Sequence, residues 1–217
     1  MESPHTFKVL SFLITALVFF GGCDQLEEPI SPLSVSPDKD LSLYLDGVLD
    51  TARAMPTSPL ARGRLGMAYD INGLQKEALS TYQQAAILDP DDFRWPYFSA
   101  HLVVQGGEYD QALVLLEQAL NINENYSPAW LWRGLWLLKA GLNEEAMVAF
   151  ERANKLSPGV DSEFGLAQVL IASGKYDEAL EKLDAVLEKT NHPYIYRTLG
   201  EVSVSYTHLT LPTNREV

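Results

Sequence analysis

The chain has 217 residues, 47% hydrophobic and 21% charged, with 14 Gly and 12 Pro, an ordinary globular composition long enough to bury one substantial core. Sixteen Lys plus Arg against 29 Asp plus Glu leave a formal charge of −13, which offers a nucleic-acid backbone or an anionic bilayer face no electrostatic footprint. A single cysteine, Cys23, excludes an internal disulfide and any CxxC metal or redox site.

From Val9 to Phe20 the chain reads VLSFLITALVFF, twelve residues without a charge, after Lys8 and before Gly21-Gly22-Cys23. A charged start, an apolar run and small residues at the end are the order of a secretory signal. Twelve helical residues span about 18 Å, short of the roughly 30 Å hydrocarbon core, which disfavours a conventional membrane-spanning helix. The Gly-Gly-Cys ending resembles a bacterial lipobox, with Phe20 where that motif usually has Leu and with Glu2 weakening the positive start. The resemblance implies that residues 1–22 are a lipoprotein signal peptide and that the Cys23 thiol is acylated with diacylglycerol, Cys23 becoming the new N-terminus. Plain secretion with an incidental cysteine and an uncleaved anchor are the alternatives. By the same resemblance the mature chain is anchored in a bacterial envelope and faces the periplasm, and Asp24 slightly favours the inner membrane.

Residues 23–37 carry Pro29, Pro32 and Pro37 among Ser and acidic residues. Such a stretch is extended, builds no core and reads as a tether between membrane and domain. Leu41, Tyr44, Leu45, Val48, Leu49 and Ala52 then recur at i, i+3, i+4, i+7, i+8 and i+11. That spacing predicts a capping helix within 38–58, with Ser36 as N-cap and Pro37 in the first turn, shielding the open face of the unit that follows.

The body of the chain repeats itself. Gly73, Gly107 and Gly141 are spaced by 34 and 34 residues, and Gly174 follows after 33. In step with them run Ala78, Ala112, Ala146 and Ala179, the small residues Gly66, Ala100, Gly134, Ala167 and Gly200, and a third row of Ala85, Ala119 and Ala153 that ends at Val186. Small residues where two helices cross let their backbones approach, and a glycine between two apolar-periodic segments suits a turn at positive φ. Leu65, Tyr69, Tyr82, Leu116, Trp130, Leu137 and Phe150 are the bulky residues that fill the gaps. The pattern predicts helices over 59–71 and 75–88, 93–105 and 109–121, 127–140 and 143–155, 160–172 and 176–189, with another opening at Pro193.

Leu65-Gly66-x2-Tyr69…Ala78-x3-Tyr82…Pro90, and Trp130…Gly134…Ala146-x3-Phe150…Pro158, resemble the tetratricopeptide repeat signature. The second unit departs from it, with Pro96 where the Trp usually sits and Glu124 for the terminal Pro; the fourth is one residue short. The resemblance, from Pro59 to about Ser203, implies an all-α, right-handed superhelical solenoid of antiparallel helix pairs. Its repeats would occupy 59–92, 93–126, 127–159 and 160–192, with the start of a fifth over 193–203.

From Val204 the chain reads VSYTHLTLPTNREV, Thr-rich and broken by Pro212, a string expected neither to extend the fifth unit's first helix nor to supply its second. Back-translated in one frame it resembles a transposon mosaic end joined to a sequencing-library adapter. Residues 204–217 are therefore expected to be translated adapter, the native protein having been cut within its fifth repeat; a genuine C-terminal tail is the alternative, and the underlying DNA decides between them.

HExxH, GxSxG, P-loop and GxGxxG motifs are missing, and with His5 in the expected signal and His208 in the expected adapter tail, His101 and His192 are too few for a histidine-rich metal site. The pairs Asp91-Asp92 and Glu144-Glu145 lie at helix starts or repeat junctions, where they complement the helix dipole. The expectation is a protein that is not an enzyme and has no metal, no cofactor beyond the acyl group on Cys23, no nucleic-acid partner and no small-molecule substrate. Stacked helix pairs present a concave surface lined by their first helices. In tetratricopeptide proteins the second, fifth, ninth and twelfth places of that helix line the groove. On this chain those places hold Met67 and Asp70; Arg94, Tyr97, His101 and Val104; Leu131, Leu135 and Leu138; Phe164, Gln168 and Ile171; then Tyr194 and Arg197. Arg94 and Arg197 are the only cations among them, too few for the carboxylate clamp of the chaperone-binding members, so an apolar peptide or amphipathic helix is the expected partner. Leu131, Leu135 and Leu138 suit either the groove or packing beneath a neighbouring helix. His101 suits a groove hydrogen-bond donor or a structural histidine better than a metal ligand. The four tryptophans, Trp95, Trp130, Trp132 and Trp136, read as helix-crossing and rim residues, some of them binding anchors. A scaffold for protein–protein interaction in the envelope is the leading reading; the docking or regulatory part of a longer enzyme is the alternative.

Overall fold

The computed structural model describes residues 27–31 and 38–210, with side chains placed as far as Val204. Its described residues form α1 (Lys39–Ala54), α2 (Pro59–Ile71), α3 (Gln75–Leu88), α4 (Arg94–Gln105), α5 (Tyr109–Ile122), α6 (Ser127–Lys139), α7 (Asn143–Leu156), α8 (Val160–Ala172), α9 (Tyr176–Leu187) and α10 (Pro193–Thr210). Four antiparallel pairs, α2–α3, α4–α5, α6–α7 and α8–α9, stack in chain order, with α1 against α2 and α10 against α9. The architecture is the all-α solenoid that the repeat pattern implied.

The glycine row closes each pair. Gly73, Gly107, Gly141 and Gly174 have φ between 73° and 85°, a region that costs an L side chain about 1–2 kcal/mol. The left-handed residue lets the next amide reach back to the preceding helix, as in Leu74 N–H to Tyr69 C=O at 2.9 Å and Leu142 N–H to Leu137 C=O at 3.0 Å, satisfying carbonyls at the helix end.

Small and large residues interlock as the periodicity requires. Ala78, Ala112, Ala146 and Ala179 are fully buried, and so are Ala85, Ala119, Ala153 and Val186 to within 1%. A β-carbon on Gly66 would fall 2.6 Å from the Tyr82 ring, and one on Gly165 only 2.4 Å from the Phe150 ring, so bulky residues of the second helices occupy the space that the glycines leave.

Three expectations are corrected. The N-cap of α1 is Asp38, whose carboxylate accepts from the amides of Asp40 (2.9 Å) and Leu41 (3.2 Å); Ser36 and Pro37 lie outside the described residues. The stretch read as an open tether is in part docked: Pro29 is buried, and Ile30 packs on the cluster formed by Leu45, Leu49, Leu65 and Tyr69. Extended backbone keeps its carbonyls unpaired, and donors on the first repeat reach them. Val204–Thr210 also continues α10 instead of breaking from it, because the Thr and Val residues there cost a helix only tenths of a kcal/mol each, and the first strong breaker is Pro212. Residues 1–26, including Val9–Phe20 and Cys23, lie outside the described residues, as do 211–217. No helix among the described residues is long and apolar enough to cross a membrane.

Candidate functional site

The candidate groove residues lie on α2, α4, α6 and α8, the first helices of successive pairs, and on α10, which follows the last pair, so stacking brings them to one face of the array. At its middle, repeats two and three assemble an aromatic cluster. His101 meets Tyr97 (ring centroids 4.7 Å), Trp132 (5.0 Å) and Trp136 (5.3 Å), each edge to face. Tyr97 and His101 are four residues apart on α4, as Trp132 and Trp136 are on α6, so each pair stands on one side of its helix.

Tyr97, expected to line the groove, is instead 9% exposed. Tyr126 stands at right angles to its ring at 5.1 Å and Phe98 covers another edge at 5.7 Å, which draws it into the core beside Ala100 and Leu116. Burial first, then Tyr126, push its hydroxyl pKa to about 12. Trp132 is 38% exposed and is the large aromatic that this cluster presents to solvent. Sequence spacing placed it one residue off the groove positions.

His101 is half-buried, and its Nε2 is buried without a hydrogen-bond partner among the described residues. Desolvation lowers its pKa below 6.5, which keeps the imidazole neutral at pH 7. Among the described residues no three His, Cys, Asp or Glu side chains are placed to hold a metal ion.

Leu131, Leu135 and Leu138 are half-buried and pack on the cluster of Leu137, Phe150 and Leu166, so each serves both core and surface. Phe164, Gln168 and Ile171 continue the face, also half-buried, with Phe164 edge to face with Tyr194 at 5.5 Å. At the other end Met67 and Asp70 are half-buried; burial raises the Asp70 pKa while the Tyr82 hydroxyl, donating at 3.4 Å, opposes the rise.

Both candidate cations are already engaged. The Arg94 guanidinium grips Asp92 (Nε to Oδ1 2.9 Å, Nη2 to Oδ2 2.5 Å) and lies 4.9 Å over the Trp95 ring, holding the Asp92 pKa below the usual carboxylate value. Arg197 lies 3.6 Å from Glu201 and 4.7 Å over Tyr194. The middle of the face is therefore apolar and aromatic, and its two arginines meet carboxylates of the same chain.

A second set of polar residues was not singled out in the sequence. Arg62, 1% exposed, donates to Gln84 Oε1 at 2.5 Å and to the Glu27 carbonyl; Gln84 donates to the Glu28 carbonyl at 3.0 Å, and Tyr69 to the Ile30 carbonyl at 2.5 Å. The available signal was the row Arg62, Pro96, Trp130, in which the first unit alone places a cation where the repeat usually has Trp. Elsewhere, a cleft of about 610 Å³ opens between α5 and α7 around Ile122, Trp130, Arg133 and Val148, and one of about 490 Å³ lies between α1 and α2 around Tyr44, Met55, Leu60 and Met67.

Three tetratricopeptide repeat family models match the chain, over residues 61–92, 99–161 and 137–201. The chain carries tetratricopeptide repeats. It is 23% identical over 171 residues to anaphase-promoting complex subunit 3 of Schizosaccharomyces pombe, covering 72% of this chain and 26% of that protein, so the tetratricopeptide chain spans about a quarter of that relative's length. The crystal structure of the MamA protein is similar at a TM-score of 0.63 and 22% identity, over 69% of this chain and 82% of that one. YrrB, described as a TPR protein with an unusual peptide-binding site, is similar at a TM-score of 0.64 and 20% identity, over 75% and 84% of the two chains. These structural likenesses concern the fold.

Proposed function

We propose that this chain is a membrane-anchored tetratricopeptide scaffold of a bacterial envelope, without catalysis of its own, that holds an apolar peptide or amphipathic helix of a partner protein on the face formed by α4, α6 and α8. The observation that carries the reading is the run from exposed Trp132 across half-buried Leu135 on α6 to half-buried Phe164 on α8, two successive first helices, with Arg94 and Arg197 already paired to carboxylates. Exposed aromatic and aliphatic side chains on a rigid scaffold suit a hydrophobic segment, and tryptophan is enriched where such contacts are strongest. A fold shared with YrrB, whose description names a peptide-binding site, supports the same mode. The apolar run Val9–Phe20 before Gly21-Gly22-Cys23 supports diacylglycerol attachment at Cys23.

The test is retention of an envelope protein by the immobilised chain. A specific partner is held by the wild type and by Ile87→Ala, an exposed position on α3, and is lost with Trp132→Ala/Leu135→Ala/Phe164→Ala. Tyr97 is left intact because its replacement would open the core. Equal retention by all three chains overturns the groove reading. For the anchor, Cys23→Ala moves the chain from the membrane to the soluble fraction; a membrane fraction unchanged by that substitution overturns it.

A further inference from the structure

By composition, residues 23–37 are a spacer, and a free spacer from Cys23 to the start of α1 reaches roughly 50 Å when extended. The structure removes most of that freedom. Glu27–Ser31 forms a strap across the first repeat, held by side chains of three helices. From α1, Arg53 Nη2 donates to Ser31 Oγ at 3.1 Å; from α2, Tyr69 and Arg62 donate to the Ile30 and Glu27 carbonyls; from α3, Gln84 donates to the Glu28 carbonyl at 3.0 Å and to Glu27 Oε2 at 3.2 Å. Pro29 is buried at its centre.

The strap also answers an electrostatic need. Arg62 is 1% exposed, and its Nε has no partner among the described residues. A buried guanidinium without acceptors is strongly disfavoured. The Glu27 carbonyl supplies one acceptor, and the charges of Glu27 and Glu28 oppose the fall in its pKa that burial causes. Undocking would leave that cation with Gln84 alone among the acceptors the structure shows, so the solenoid itself favours the docked state.

Four peptide units separate Cys23 from Glu27, which reach at most about 14 Å. We propose that the strap, and not the length of the spacer, sets the height of the solenoid on a lipid surface. With Cys23 acylated, the edge of the first repeat formed by the N-terminal turn of α2 and the C-terminal turns of α3 is held within about 14 Å of the headgroups. Residues 32–37 lie beyond the strap and add nothing to that distance. This inference rests on the anchoring reading of Cys23.

The experiment inserts ten Gly/Ser residues either before the strap, between Leu26 and Glu27, or after it, between Ser34 and Val35. Acylation blocks the Cys23 thiol, so Gln83→Cys, an exposed position on α3 beside Gln84, takes a donor dye uniquely. Energy transfer is read to an acceptor on the headgroups of phosphatidylethanolamine/phosphatidylglycerol vesicles that carry the lipidated chain. The insertion after the strap leaves transfer at the parent level, and the insertion before it lowers transfer. A Pro29→Gly/Ile30→Ser variant, which loosens the strap without altering a helix, lowers it as well. Equal loss from both insertions, or unchanged transfer in the strap variant, in a chain shown by mass to carry diacylglycerol overturns this inference and leaves the anchor standing. A chain whose Cys23 carries no diacylglycerol and that stays off the vesicles overturns the anchor and this inference together.

Discussion

The Trp95 ring fills the space that a side chain on Gly63 would need: a β-carbon built on Gly63 falls 2.0 Å from Cη2 of that ring. Trp95 is fully buried and has no open side toward which to move. Gly63→Ala is therefore expected to destabilise the protein by about 2 kcal/mol, because overpacking outweighs the roughly 1 kcal/mol that alanine gains in a helix. Gly47, inside α1, meets nothing within 4 Å, so Gly47→Ala is expected to stabilise by about 0.5–1 kcal/mol. Urea unfolding midpoints at constant slope measure both, and a Gly63→Ala chain as stable as the wild type would contradict the packing at this crossing.

Gly141 tests the turn and not the packing. Its φ is 78°, and an added β-carbon would meet nothing within 4 Å. Gly141→Ala should cost about 1–2 kcal/mol from conformation alone, and Gly141→Asn less, since Asn tolerates the left-handed region. Thermal unfolding of the two variants gives the order; an alanine variant at least as stable as the asparagine one would be inconsistent with this geometry.

Tyr69 reports on the strap. Burial raises its pKa to about 12, so the hydroxyl stays protonated and donates to the Ile30 carbonyl throughout the neutral range. Tyr69→Phe removes that donor and should cost about 1 kcal/mol. Cleavage after Glu27 by a glutamate-specific protease is expected to speed up in this variant while α6 and α7 stay intact. Equal cleavage rates in wild type and variant would show that this hydrogen bond does not hold the segment.

His101 gives the stability a pH dependence of definite sign. Its folded pKa lies below the unfolded value of about 6.5, so between the two the unfolded chain binds the proton and the folded chain does not. This contribution is fully present above pH ~6.5 and is lost as pH falls through the folded pKa. Midpoints of urea unfolding measured from pH 7.5 down to pH 5.5 should fall more for wild type than for His101→Gln. Parallel curves would rule out a desolvated imidazole.

The helices, their pairing and the turns were legible in the sequence because their determinants are local and periodic. Pro59, Ala78, Gly107 and Phe150 act over one turn or one repeat, and a spacing near 34 residues aligns them without knowledge of anything distant. Tyr97 and Trp132 were not separable in that way. Helical position alone puts the first in the groove, and only the ring of Tyr126, brought from the start of α6 to stand against Tyr97 beside its neighbour Phe98, decides that Tyr97 is covered while Trp132 remains exposed. The segment Glu27–Ser31 was legible as extended backbone and no further. Proline and acidic residues dictate an extended chain, but its docking depends on Arg53, Tyr69, Arg62 and Gln84 converging from three helices up to 57 residues away. Composition by itself thus determined a chain that builds no core; the tertiary structure decided where it lies, because the donors for its carbonyls exist as a site only once α1, α2 and α3 have packed.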